Sequence, residues 1–207
     1  RCSRDWSSDV CSSDLDDFSL NYSFITDALV SKYFRDLEIY YSEDCTDKND
    51  QTCKARELIR TRLLDVLEKY KNDDIMLISH SMGSIIAFDV MTFLAPHIKI
   101  KTFVTIGSPL GLPIVVSKIA AEQKRMLNGE NHMVAPPGIV KNWYNLSDIL
   151  DKVAIDYRLD DDFQANVHGI KPIDILVVND YEINGEPNPH KSYGYLRTPE
   201  FSKILNE

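Results

Sequence analysis

Residues 75–87 read Ile-Met-Leu-Ile-Ser-His-Ser-Met-Gly-Ser-Ile-Ile-Ala, an apolar strand-forming run that becomes an apolar helix-forming run with no linker between. A strand feeds a helix without a loop only through a sharp turn. The residue at its tip is Ser81, and the small Ser79 and Gly83, two places to either side, are expected to let the backbone fold that tightly. The apolar runs are too continuous for a half-exposed sheet, so the strand is expected in a mostly parallel sheet with helices on both faces, an α/β fold.

The same alternation runs along the chain. Phe24, Ile25, Ala28, Leu29 and Tyr33 recur at helical spacing and predict a helix over 22–36, while the aromatic and β-branched stretch 37–41 predicts a strand. Polar residues over 42–52 predict a loop. The clearest helix covers 53–70, with Leu58, Ile59, Leu63, Val66 and Leu67 on one face and Arg56, Arg60, Glu68 and Lys69 on the other. Strands over 74–79 and 101–106 flank a helix over 82–94 closed by Pro96. A helix over 112–128, a loop over 129–138, strands at 140–146 and 173–179, and a closing helix over 199–205 with Pro in its first turn complete the pattern.

Residues 1–15 stand apart. They have no helical or strand period, repeat Ser-Ser-Asp, and read as a translated sequencing adapter, so they are left out of fold reasoning and the native N-terminus is expected to be missing. The remainder, 16–207, is the size of a single domain, and 43% apolar content supports one sizeable core. A formal charge of −9 opposes an electrostatic grip on nucleic acid or an anionic membrane. No apolar run approaches the roughly 20 residues that span a bilayer. No signal peptide is visible, which weakly favours the cytoplasm, since a truncated chain could have lost one. Cys45 and Cys53 bracket a polar segment and fit either a small disulfide loop in an exported protein or two free thiols in a cytosolic one.

The chemistry centres on the turn. A serine at such a tip is a nucleophile candidate, and the Met82 amide at the start of the following helix is the candidate oxyanion donor. The run departs from G-x-S-x-G only in having Ser79 for the first glycine. A serine hydroxyl is a weak nucleophile until a base takes its proton, so an acid and a histidine are expected downstream in that order. Asp148 and Asp151 follow the strand over 140–146 and are both candidates for the acid. His190 ends a Pro-, Asn- and Gly-rich loop after the strand over 173–179 and is the candidate base, with Tyr193 as a candidate brace. His97 and His132 precede the acid, His168 precedes the last strand, and His80 either faces away from Ser81 or flanks it. Asp160-Asp-Asp162 reads as a solvated loop rather than a cation site.

With these pieces in order, the chain from about residue 22 onward resembles the α/β-hydrolase superfamily, in particular its lipase- and esterase-like members. Gly107-Ser-Pro109 is similar to a segment those lipases carry after the elbow helix, and Trp143-Tyr-Asn-Leu-Ser-Asp148 to their Trp-x-Asn-x-x-Asp run. Asp151, followed by Lys-Val-Ala, resembles their Asp-x-Val turn and is preferred over Asp148 on that ground. The resemblance aligns 37–41 with the fourth strand of the fold and implies that the first strands are lacking, with the loop that supplies a second oxyanion N–H. It also implies a lid over 111–140, where Ile114, Val115, Ile119, Met126 and Leu127 would roof an acyl chain; a core-packing helix is the alternative. The implied activity is hydrolysis of a small-molecule or lipid ester through an acyl-enzyme on Ser81, without metal or organic cofactor. Acyl transfer by the same fold and a non-catalytic binding protein are the rivals.

Overall fold

The computed structural model describes residues 28–42, 44–46, 52–126 and 133–207. In chain order the elements are α1 (Ala28–Ser42), β1 (Asp44–Thr46), β2 (Thr52–Lys54), α2 (Ala55–Lys69), β3 (Met76–His80) and α3 (Met82–Asp89), which runs on through a π-helical turn (Val90–Leu94). Then come β4 (Ile100–Ile106), α4 (Pro113–Met126), β5 (Met133–Val134), β6 (Ile139–Ser147), β7 (Phe163–Gln164) and β8 (Pro172–Leu176). The hairpin strands β9 (Glu182–Ile183) and β10 (Glu186–Pro187) precede α5 (Ser192–Leu196) and α6 (Pro199–Ile204).

Four strands form the central sheet in the order β3-β4-β6-β8, and every pair in it is parallel. Parallel pairing puts the C-terminal ends of all four at one edge, where α/β sheets carry their sites. Alternation along β4 divides the core. Phe103 joins a large cluster with Leu37, Tyr40, Phe88, Val115, Ile119 and Trp143 under α1–α4, whereas Val104 and Ile106 join Tyr144, Leu146, Tyr195, Phe201 and Ile204 under α5 and α6. The sheet is therefore covered on both faces. Trp143, fully buried among Phe88, Phe103 and Phe163, anchors the first cluster. The closing helix follows its local signals, with Thr198 Oγ1 accepting from Phe201 N at 3.2 Å and Pro199 in the first turn.

Two expectations fail on physical grounds. Residues 37–41 belong to α1, because Tyr33, Leu37 and Tyr40 recur at four and three residues and bury together, a helical stripe that outweighs β-favouring composition. Their alignment with a fourth strand falls with it. The second failure is Arg56, expected on the solvent face of α2. Its guanidinium turns inward, bonding Asp89 Oδ2 from Nε at 2.9 Å and Nη2 at 2.6 Å, and Glu122 Oε2 from Nη2 at 2.7 Å.

Smaller differences follow from tertiary packing. The segment 42–52 contributes the short antiparallel ribbon β1–β2, whose register sets Cys45 opposite Cys53. The loop before His190 holds the hairpin β9–β10, turned by Asn184 and Gly185, both at positive φ. In α4, Val115 and Ile119 are buried in the main core rather than forming a roof, while Leu127 and the side chain of Met126 lie outside the described residues. Residues 1–15 and 22–27 lie outside them as well.

Candidate active site

Ser81 stands between the last residue of β3 and the first of α3, at φ 55° and ψ −133°. This is a strained backbone for a residue with a Cβ, worth about 1–3 kcal/mol, and it must be held by its surroundings. Ser81 N donates to Ile106 O at 3.2 Å, and Ser81 O accepts from Ser84 N at 2.9 Å and Ser84 Oγ at 2.5 Å. Ser84 Oγ in turn lies 2.8 Å from Ser108 Oγ, so the turn is tied to the Gly107-Ser108-Pro109 segment beyond β4.

Gly83 works differently from expectation. A Cβ added to Gly83 would meet no heavy atom among the described residues within 4 Å, so the tightness of the turn does not depend on it. Gly107 carries that constraint instead. Its φ is +54°, and a Cβ there would lie 2.8 Å from Asp151 Oδ2 and 3.3 Å from His190 Nδ1.

The structure brings Ser81, His190 and Asp151 together from three loops at the same sheet edge. His190 Nε2 is 2.9 Å from Ser81 Oγ, and His190 Nδ1 is 2.9 Å from both Asp151 oxygens. An ionised carboxylate only accepts, so Nδ1 carries the hydrogen and Nε2 is left to accept from the Ser81 hydroxyl. Asp151 is 2% exposed, yet its charge is well served. Oδ1 accepts from Val153 N at 2.9 Å and Ala154 N at 3.4 Å, and Oδ2 from Tyr195 Oη at 2.7 Å. Burial, then the charge of Asp151, pushes the Tyr195 phenol up, so it remains a donor. Met82 supplies the first amide of α3, one of the N–H groups that helix geometry leaves without an internal acceptor.

Asp148 does not reach His190. Its Oδ1 accepts from Leu150 N at 2.7 Å and its Oδ2 from Asn179 N at 2.5 Å, closing a turn after β6 and pinning the chain leaving β8. Tyr193 is 62% exposed and rings with Tyr181; the brace is Tyr195, two residues on. No spacing signal distinguishes the Tyr195 hydroxyl from that of Tyr193 two residues before it. His80 flanks Ser81 and its Nε2 lies 2.7 Å from the His190 carbonyl. His97 pairs with Glu68 at the surface, His168 is exposed, and His132 lies outside the described residues. Asp160 pairs with Arg158, and among the described residues no His, Cys, Asp and Glu group is arranged to hold a metal ion.

Two openings flank the imidazole. One, about 320 Å³, is bounded by Tyr33, Ser81, Met82, Gly83 and Val153; the other, about 300 Å³, by Leu150, Ile183, Pro187 and Pro189, and His190 lines both. A substrate carbonyl in the first would meet Ser81 and the Met82 amide from one side.

A parallel sheet covered on both faces, with a serine on a strained strand-to-helix turn, is the architecture of a partial α/β-hydrolase fold, similar to the lipase- and esterase-like group of that superfamily. More narrowly, residues 38–133 match the family model of the PGAP1-like alpha/beta domain. No curated protein and no solved structure matches the chain. Among the described residues, no helix is long and apolar enough to cross a membrane.

Proposed function

We propose that the chain is a serine hydrolase that cleaves carboxylic esters, of a small molecule or a lipid, through an acyl-enzyme on Ser81. The observation that carries this reading is the unbroken hydrogen-bonded line from Ser81 Oγ through the His190 ring to Asp151. Ser81 Oγ attacks the ester carbonyl carbon as its proton passes to His190 Nε2. The carbonyl oxygen takes the negative charge and faces the Met82 N–H and the positive end of α3. Collapse breaks the bond to the alcohol, which leaves with the proton from Nε2. Water then repeats the sequence: it gives its proton to Nε2, adds to the acyl carbon, and the Ser81–acyl bond breaks with the proton returning to Oγ. The buried carboxylate of Asp151 orients the ring and stabilises its cationic form in each half.

Turnover of a chromogenic aryl ester tests this. Slow hydrolysis above background is expected for the chain, and loss to the uncatalysed background for Ser81→Ala with an unchanged melting midpoint. An undiminished rate in that variant removes the proposal. Adding a competing alcohol separates hydrolysis from acyl transfer, since only the latter yields a new ester.

A further inference from the structure

His190 follows β10 in a short loop with Asn188 and Pro189, yet its ring must hold one position relative to both Ser81 and Asp151. No sheet ladder fixes residues 189–191. Beyond turn bonds such as Lys191 N to Asn188 O at 3.0 Å, side chains hold three consecutive carbonyls. Asn179 Nδ2 donates to Pro189 O at 2.7 Å and Lys191 O at 2.9 Å, and His80 Nε2 to His190 O, between them, at 2.7 Å.

Both donors are themselves held. Asn179 is 7% exposed, its backbone N–H donates to Asp148 Oδ2, and its Oδ1 accepts from Tyr181 N at 3.2 Å. The chain at Gly194 passes so close that a Cβ there would lie 1.5 Å from Asn179 Oδ1, leaving the amide no other place. His80 is the last residue of β3, paired with Ile106, and its ring lies 4.7 Å centre to centre from that of His190. Burial pushes the His80 ring down from its ordinary range, with the nearby His190 adding to this and the bonded carbonyl opposing it. A neutral His80 keeps its Nε2–H as donor and adds no second cation beside the base.

We propose that His80 and Asn179 are positioning residues that clamp the backbone at 189–191 from the elbow side and the β8 side, fixing the His190 ring against Ser81. The inference rests on the hydrolase reading for its kinetic consequence but not for the clamp itself. It also gives Asp148 a part, as the anchor of Asn179, although it does not touch the imidazole.

Two variants separate donation from mere bulk. His80→Leu removes the N–H while filling the space, and His80→Gln restores an N–H at a similar reach. Misplacing a base by a fraction of an ångström costs rate rather than binding, so His80→Leu is expected to lower kcat about tenfold or more with KM within about twofold. His80→Gln is expected within about threefold of the wild type. Asn179→Asp, which keeps the shape and loses both donors, is expected to follow His80→Leu. Hydrogen exchange needs no turnover: the amides of 188 and 190–192 are expected to exchange at least about tenfold faster in His80→Leu and Asn179→Asp, and near the wild-type rate in His80→Gln. An unchanged kcat with unchanged exchange overturns the clamp, as does a His80→Gln variant as defective as His80→Leu. Should the wild type hydrolyse no ester, the hydrolase reading fails, and the exchange result alone decides the clamp: faster exchange at 188 and 190–192 upholds it, unchanged exchange overturns it.

Discussion

Three carboxylates are almost wholly buried among the described residues: Asp148 closes a turn after β6, while Asp89 behind the sheet and Asp151 at its C-terminal edge are held by donors of different kinds. Asp89 leans on a cation: Arg56 donates twice to its Oδ2, Tyr40 Oη donates to the same atom at 2.6 Å, and Oδ1 has no partner among the described residues. Burial pushes its carboxyl up, and Arg56 pulls the other way. Asp151 is held differently. Its donors are two backbone amides, a phenol and the imidazole of His190. A carboxylate matched by a permanent guanidinium is spent on holding helices α1, α2 and α3 together. One held by neutral donors leaves its charge to meet a proton arriving on a histidine, which is what a reacting base needs.

The largest expected effect separates the two by function. Asp151→Asn is expected to cut ester turnover about 10³–10⁴-fold, the loss seen when the orienting carboxylate of a triad is neutralised. The melting midpoint should fall by only a few degrees. A variant that keeps a tenth of the wild-type rate would dissolve the distinction. The next effect is on stability. Arg56→Met strands Asp89 and Glu122 and is expected to cost about 3–5 kcal/mol in chemical denaturation, while the folded fraction retains its kcat. A loss below about 1 kcal/mol would mean that the ion cluster does not hold the helices.

The smallest expected effect concerns a carboxylate with neither kind of support. Asp162 Oδ2 is a buried atom with no hydrogen-bond partner among the described residues, and desolvation, then the neighbouring Asp156, Asp161 and Asp174, raises its carboxyl from 3.8 to about 6. The folded chain thus holds a proton between those values that the unfolded chain has lost, so stability falls as pH rises through this window and the deficit persists at pH 7. The side chain is partly solvent-exposed, which reduces the full linkage value to roughly 1 kcal/mol. Asp162→Asn should therefore raise the melting midpoint at pH 7 and leave it unchanged at pH 3.5. Equal midpoints at both pH values would show that water screens the group completely.

The parts legible in the sequence were those set by local pattern. Residues 75–87 announce a strand and a helix joined without a loop, and parallel strands then put the loops after β6 and β8 beside that junction, so the order serine, carboxylate, histidine could be read along the chain. Other features depend on distances that no local pattern encodes. Residues 37–41 look like a strand by composition and are helical because Leu37 and Tyr40 share a stripe with Tyr33. The inward turn of Arg56 is set by Asp89 and Glu122, 33 and 66 positions away. The close approach that makes Gly107 necessary comes from Asp151 and His190, whose distance from it only the folded chain defines.

The central claim is that the Ser81 hydroxyl is activated by His190, and a fluorophosphonate probe reads it directly. Intact mass followed by peptide mapping is expected to find one adduct, on Ser81, formed at least about a hundredfold more slowly in His190→Ala and absent in Ser81→Ala. An adduct on another residue, or labelling of Ser81 at the same rate without His190, would contradict the account.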